Sequence, residues 1–419
     1  MPMREVKPLK QKYAAVTVPG SKSYTHRMLI AAALSNGPCA LNNPLESEDT
    51  TLTLEALQQL GVQIEKEANS CTVSGRNGLL DAIEKPLDLG NSGTSMRLLT
   101  AAVALGQGTY ILTGTQRMQQ RPLKDLMDGL NQIGVQARSL KNSGFPPVKV
   151  MGAKIEGGHI QLDCSISSQF LSALLLIGPY TERGVEITVT AGPVSRPYVD
   201  ITLDVMHKFG VTVERNAYDR FSISGGQAYQ AGSYSVEPDC SQAGYFWAAA
   251  AVTGSTIKVK GISTDSRQGD IRFVEILDDM GCKIVEKSDG IEVCGGPLTA
   301  VKADMADMPD LVPTLAVVAA FASGTTILKN VAHLKEKESN RLAAVVNELA
   351  KMGIEADYDD QALIIAGGQP HGAEIETYND HRIAMSFAVA GLKVDGIFIR
   401  DESCVNKSFP DFWDVFNTL

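Results

Sequence analysis

An α/β fold of two domains is predicted by three features of the sequence: its length, a repeated helix–glycine–strand pattern, and a second, Ala-rich helical element in the same register. At 419 residues the chain exceeds what one hydrophobic core usually organises, so two domains are the default. The first repeat reads "LEALQQLGVQIE", "LMDGLNQIGVQAR", "LDVMHKFGVTVE", "VEILDDMGCKIVE" and "VNELAKMGIEAD". In each copy apolar residues at helical spacing stop at a glycine (Gly61, Gly134, Gly210, Gly281, Gly353), which predicts a helix end followed by an alternating strand. The strings "CTVSG", "VKVMG", "FSISGG", "IEVCGG" and "LIIAGG" then predict strands ending at glycine turns.

The second element has six copies: "SKSYTHRMLIAAALSNG", "LGNSGTSMRLLTAAVALG", "SSQFLSALLLIG", "CSQAGYFWAAAAVTG", "PDLVPTLAVVAAFASG" and "NDHRIAMSFAVAGL". The helices beginning near Ser23, Asn91 and Ser168 are too apolar for a surface, so they are expected to be buried and closely packed through alanine. The terminal "PDFWDVFNTL" stands as the sixth copy of the first element. The chain therefore reads as six units, each with two helices and several strands.

Composition narrows the function. No apolar run is long enough to span a bilayer, and the N-terminus lacks a signal-peptide core. Seven cysteines without a CxxC pair, and six scattered histidines, predict no metal site and no disulfide framework, in keeping with a cytoplasmic protein. A net charge of −10 argues against nonspecific nucleic-acid binding, so an anionic ligand needs a local basic cluster. "GNSGTS" lacks the dinucleotide spacing, and no GxxxxGK[ST], GxSxG or HExxH occurs.

Several buried helices open with small polar and basic residues. A helix N-terminus has free N–H groups that take either a cap or an anion. Candidate anion binders are Lys22, Arg27, Arg97, Arg121, Lys337, Arg341, Arg382 and Lys407, at helix starts or in Gly-, Pro- and Ser-marked loops. Glu338 reads equally as a first-turn partner of the helix dipole, and Asp310 as an N-cap. The residues by themselves reach an α/β protein that binds small polyanions.

The strings "PGSKSYTHR", "LGNSGTSMR", "QRPLKDL", "SSQFLSALL", "VSRPYVDIT", "MPDLVPTLA", "LKEKESNRL", "TYNDHRIAM" and "NKSFPDFW" together resemble the 5-enolpyruvylshikimate 3-phosphate synthase family of enolpyruvyl transferases, across essentially the whole chain. The resemblance implies two inside-out α/β domains of three βαβαββ units each, residues 20–235 and residues 1–19 with 236–419, with the active site in the interdomain cleft. It implies transfer of the enolpyruvyl group of phosphoenolpyruvate to the 5-hydroxyl of shikimate 3-phosphate, by addition and elimination, with release of phosphate. By matching motifs, Lys22, Asn91, Gly93, Arg121, Gln169, Arg341, Arg382 and Lys407 would hold phosphoenolpyruvate, with Gly93 leaving space beside it. Lys22, Ser23, Arg27, Ser167, Ser168, Gln169, Ser195, Tyr198, Asp310, His333 and Lys337 would hold shikimate 3-phosphate. Asp310 would take the hydroxyl proton and Glu338 would protonate the methylene carbon, with Lys22 and Lys407 assisting. No cofactor, metal, nucleic-acid or membrane partner is implied, and a monomer is expected.

Two positions depart from the family pattern. His333 stands where the family often has Asn, and Leu98 where many relatives have Pro beside the Gly93 segment, which bears on sensitivity to glyphosate, the family's inhibitor. A sister enzyme that acts on UDP-N-acetylglucosamine typically carries a reactive cysteine in the loop that here reads "GTQRMQQRP". That loop has none, which disfavours this alternative. Intact Asp310, Glu338, Lys22 and Lys407 disfavour a non-catalytic anion-binding module.

Overall fold

The computed structural model describes residues 3–419. It contains two compact units: Gly20–Glu237, and the N-terminal segment through Pro19 together with Pro238–Leu419.

The Gly20–Glu237 unit contains three four-stranded sheets of one design, a parallel pair extended by two antiparallel strands. In the first, the strand order is Gly232–Ser235, Pro38–Asn42, Ser70–Ser74, Gln63–Glu67. The second runs Leu87–Asp88, Thr109–Thr113, Val148–Met151, Gln136–Ser139. The third runs Gly158–Asp163, Val185–Ala191, Arg220–Ile223, Glu214–Asn216. The three apolar helices Lys22–Leu34, Gly93–Ala102 and Gln169–Ile177 pack on one another at the centre. Their alanines explain how closely they approach: Ala31 to Ala33 and Ala101 have no exposed surface.

The other unit repeats the plan with the helices Cys240–Thr253, Val312–Ala319 and His381–Gly391 in mutual contact. Two of its sheets have the same four-stranded order, Tyr13–Val16, Thr256–Lys260, Gly290–Cys294, Lys283–Lys287 and Lys302–Asp304, Thr325–Lys329, Ala362–Ala366, Ala356–Tyr358. The third has three strands, Glu374–Ile375, Ile397–Arg400 and Met3–Val6. The sixth repeat is thus shorter than the sequence pattern suggests. Its terminal helix is Phe412–Phe416, and the strand Met3–Val6 completes the sheet.

The repeating glycines have the geometry the pattern predicts. Gly61, Gly134, Gly210, Gly281 and Gly353 all follow helices with φ between 78° and 107°, the left-handed region that a Cβ penalises. Of the small polar residues opening the Gly93 helix, Ser92 is the cap. Ser92 accepts from the Ser95 backbone N–H at 3.4 Å, and the hydroxyls of Ser92, Ser95 and Thr53 form a buried chain reaching His26 Nδ1.

Candidate active site

In the Gly20–Glu237 unit the singled-out residues gather at the N-terminal ends of the three central helices. Lys22 Nζ lies 3.4 Å from Asp49 Oδ2, in the first turn of the helix Glu48–Gln59. Arg27, one turn on from Ser23, is completely buried. Its Nε donates to Thr202 Oγ1 at 2.6 Å, Nη1 to the Ser23 carbonyl at 3.0 Å, and Nη2 to Ser172 Oγ and the Tyr198 carbonyl at 3.3 and 3.2 Å. Burial pulls its pKa down to about 10, and four of the five N–H donors of the fork meet neutral protein oxygens. Ser168 stands at the N-cap position of the helix Gln169–Ile177 without capping it, and its hydroxyl donates instead to the carbonyl of Ser195 at 3.3 Å. Ser195 itself has φ of 55°, a conformation uncommon for a non-glycine residue. Ser167 Oγ accepts from the Gln169 N–H at 3.3 Å.

Two arginines meet the Gly93 helix differently. Arg97 turns inward: its Nη1 donates to Gln169 Oε1 at 2.8 Å and to the Gly93 carbonyl, and its guanidinium lies 5.6 Å from the Phe170 ring centre. Gln169 Nε2 in turn donates to Thr94 Oγ1 at 3.1 Å. Arg97, one of the candidate anion binders, thus links the Gly93 helix to Gln169. Arg121 donates to the Asn91 carbonyl at 3.3 Å and lays its guanidinium directly over Gly93. A Cβ added at Gly93 would stand 2.5 Å from Arg121 Nη2 and 2.7 Å from its Cζ. The space that Gly93 leaves is thus filled by Arg121 itself.

The other unit holds the carboxylates. Asp310 is the middle residue of the turn Pro309–Leu311 that leads into the helix Val312–Ala319, not its N-cap, and sits between two guanidiniums, with Oδ1 2.8 Å from Arg341 Nη1 and Oδ2 2.9 Å from Arg382 Nη2. Arg341, the first residue of the helix Arg341–Lys351, also reaches Glu338 Oε2 at 2.9 Å and Asp380 Oδ2 at 2.9 Å. Burial alone would lower the pKa of Arg341, but Asp380, Glu338 and Asp310 outweigh it and raise the pKa. Arg382 donates to the Tyr245 hydroxyl at 3.0 Å, and its pKa is also raised: burial alone would lower it, but Tyr245, Asp310 and Asp239 more than offset that. Burial pushes Tyr245 up to about 12. His333 is driven down to about 3, first by burial and then by Lys337, so it is neutral near pH 7. Asp270 is buried and rises to about 7, through desolvation and the nearby charge of Asp310, while its Oδ2 accepts from Ser241. Lys407 is buried at the end of the turn Glu402–Lys407. The next residue, Ser408, accepts from Gln242 Nε2 through its carbonyl and hydroxyl.

The family model for EPSP synthase (3-phosphoshikimate 1-carboxyvinyltransferase) matches residues 6–416. The chain belongs to the EPSP synthase family. It is 43% identical over 404 residues to a 3-phosphoshikimate 1-carboxyvinyltransferase of Methanoculleus marisnigri, covering 96% of each chain. It is 44% identical over 412 residues to that of Pseudoalteromonas atlantica, covering 97% of this chain and 96% of the relative. Among solved structures, EPSP synthase from Acinetobacter baumannii superposes with a TM-score of 0.83 at 30% identity, over 99% of this chain and 97% of that one. The enolpyruvyl transferase NikO from Streptomyces tendae shares the fold, with a TM-score of 0.77 at 20% identity, over 100% and 97% of the two chains.

EPSP synthase motifs drew attention to Arg341, Arg382, Asp310 and Glu338, and the structure brings these four together. Three acidic residues were missed: Asp380, Asp49 and Asp270. Asp380 carried a signal, standing two residues before the arginine in "NDHR", where it caps the helix by accepting from the Arg382 N–H at 3.0 Å. Asp49 and Asp270 look in sequence like ordinary first-turn acids. Only their burial distinguishes them.

Proposed function

We propose that this enzyme, which transfers the enolpyruvyl group of phosphoenolpyruvate in aromatic amino acid biosynthesis, does so with Asp310 and Glu338 as its proton-transfer pair and Arg341 and Arg382 as its anion clamp. The observation that supports this reading most is Asp310 held between Arg341 and Arg382, with Glu338 on the same Arg341.

The two guanidiniums are already neutralised by Asp310, Glu338 and Asp380. An incoming phosphate or carboxylate competes with these partners for the same N–H donors. Its arrival loosens Asp310 and Glu338 from their ion pairs, which is what each needs to exchange a proton. Asp310 then accepts the proton of the 5-hydroxyl as that oxygen bonds to C2 of phosphoenolpyruvate. Glu338, once released from Arg341, takes up a proton from solvent and delivers it to C3, giving the tetrahedral adduct. In the elimination the Glu338 carboxylate takes a proton back from C3 as the C2–O bond to phosphate breaks, which restores the double bond, and the proton held by Asp310 leaves with the phosphate. In this reading the Gly20–Glu237 unit supplies Lys22, Asn91, Gly93, Arg121 and Gln169 toward phosphoenolpyruvate, and Lys22, Ser23, Arg27, Ser167, Ser168, Gln169, Ser195 and Tyr198 toward shikimate 3-phosphate. Lys337 and His333 join the latter set, and Lys407 assists proton transfer. Because His333 is neutral, it serves as a hydrogen-bonding group and adds no positive charge for the phosphate.

The working form in this reading is a monomer, which sedimentation measures directly. The test of the site is titration of Asp310→Ala and Glu338→Ala with shikimate 3-phosphate, followed by turnover. Retained binding with turnover lost is the expected result, and near-normal turnover in both variants overturns the assignment.

A further inference from the structure

The helix Arg341–Lys351 grips residues 376–380 at two points. At its start Arg341 holds Asp380 through Nε at 2.9 Å and Nη2 at 3.4 Å. Seven residues later, on the same face of the helix, lies Glu348, which has no exposed surface. Its carboxylate receives four hydrogen bonds. Lys351 Nζ donates to Oε1 and Oε2 at 2.9 and 2.7 Å, the Glu376 N–H to Oε2 at 3.0 Å, and the Tyr378 hydroxyl to Oε1 at 2.7 Å.

Between these grips the backbone is strained. Tyr378 and Asn379 are consecutive non-glycine residues in the left-handed region, with φ of 55° and 52°. Such a pair persists only where its surroundings over-determine it. Asp380 follows at once. Besides Arg341 it accepts from Ser339 Oγ at 2.9 Å and from the Arg382 N–H at 3.0 Å. A buried carboxylate is a poor choice for stability alone, since an apolar side chain of the same volume often does as well. What four directed hydrogen bonds add is a fixed geometry for the segment that delivers Asp380.

We infer that Glu348 is a positioning residue: acting through Tyr378 and the Glu376 amide, it fixes the 376–380 turn, so that Asp380 holds Arg341 and Arg382 aligned for phosphoenolpyruvate. The inference rests on the reading of those two arginines as the ligands of that substrate.

Tyr378→Phe tests it with little risk to folding, because the ring is partly exposed and only the hydroxyl is lost. The KM for phosphoenolpyruvate is expected to rise roughly three- to tenfold, the weakening of one charge-assisted hydrogen bond passed on to the clamp. The KM for shikimate 3-phosphate and the Tm stay near wild type. Glu348→Asp, whose carboxylate falls short of Tyr378, gives the same selective rise. Adding Tyr378→Phe to Glu348→Asp raises it no further. A merely structural role would instead lower Tm and weaken both substrates together, and that pattern overturns the proposal. Arg382→Lys separates the two levels. If it weakens phosphoenolpyruvate while Tyr378→Phe does not, the tether is wrong and the clamp stands. If neither variant moves that KM, the clamp reading fails and the tether falls with it.

Discussion

Arg121 lies over Gly93 so closely that a single Cβ at Gly93 would stand 2.5 Å from its Nη2 atom. The glycine is therefore matched to an arginine 28 positions away in the chain. Any side chain at 93 acts first on that guanidinium.

Gly93→Ala is expected to displace the Arg121 guanidinium, which is the mobile end of its side chain, and so to cost little in folding. Alanine also favours the helix over glycine by up to about 1 kcal/mol. The KM for phosphoenolpyruvate should rise by roughly tenfold, the scale of one disturbed charge-assisted contact. Kinetics and a melting curve on the same variant check this. A lower Tm with unchanged phosphoenolpyruvate kinetics would mean that Gly93 serves only the helix start.

Arg97 is expected to matter for stability and for the aim of Gln169. Arg97→Ala removes the 2.8 Å bond to Gln169 Oε1 and the contact over Phe170 inside a buried layer. A loss of about 1–3 kcal/mol in unfolding free energy follows from leaving buried polar groups unpaired. Urea denaturation measures it, and a change below about 0.5 kcal/mol, the range of ordinary surface substitutions, would contradict the buried bonding role.

The carboxylate pair should separate binding from chemistry. Asp310→Asn keeps the shape between Arg341 and Arg382 but cannot accept a proton, so turnover should fall about 10²- to 10⁴-fold while shikimate 3-phosphate still binds. Steady-state turnover together with isothermal titration decides this.

Asp270 gives a pH signature. Its folded pKa, about 7, stands above the ordinary 3.8, so the folded chain binds more protons than the unfolded chain between these values. Its contribution is fully present below about pH 3.8 and is lost as pH rises through about 7. Asp270→Asn, which keeps the partner for Ser241, should therefore be more stable than wild type at pH 8 and no more stable at pH 4. Denaturant midpoints at the two pH values read it out. An equal effect at both would show that Asp270 is not protonated by its burial.

The fold was legible because its signals are local and repeated. Gly61 and its four counterparts mark helix ends by conformational need, and the Ala-rich helices announce burial by being apolar on every side. The residues around the candidate site were legible as motifs, but their pairings were not. Arg341 meets Asp380 and Asp310 across 39 and 31 residues of sequence, and Arg121 meets Gly93 across 28. No periodicity encodes such contacts, because they arise only when separate repeats pack their helix ends together. Nothing local in the sequence marks Glu348, since its burial depends on what the distant 376–380 turn lays over it.

The most direct measurement is phosphate released from phosphoenolpyruvate by the purified chain, with each acceptor offered in turn. With shikimate 3-phosphate, one phosphate is expected for each acceptor molecule converted to its enolpyruvyl ether, and none with UDP-N-acetylglucosamine. Release with UDP-N-acetylglucosamine, or no release with shikimate 3-phosphate, would contradict it.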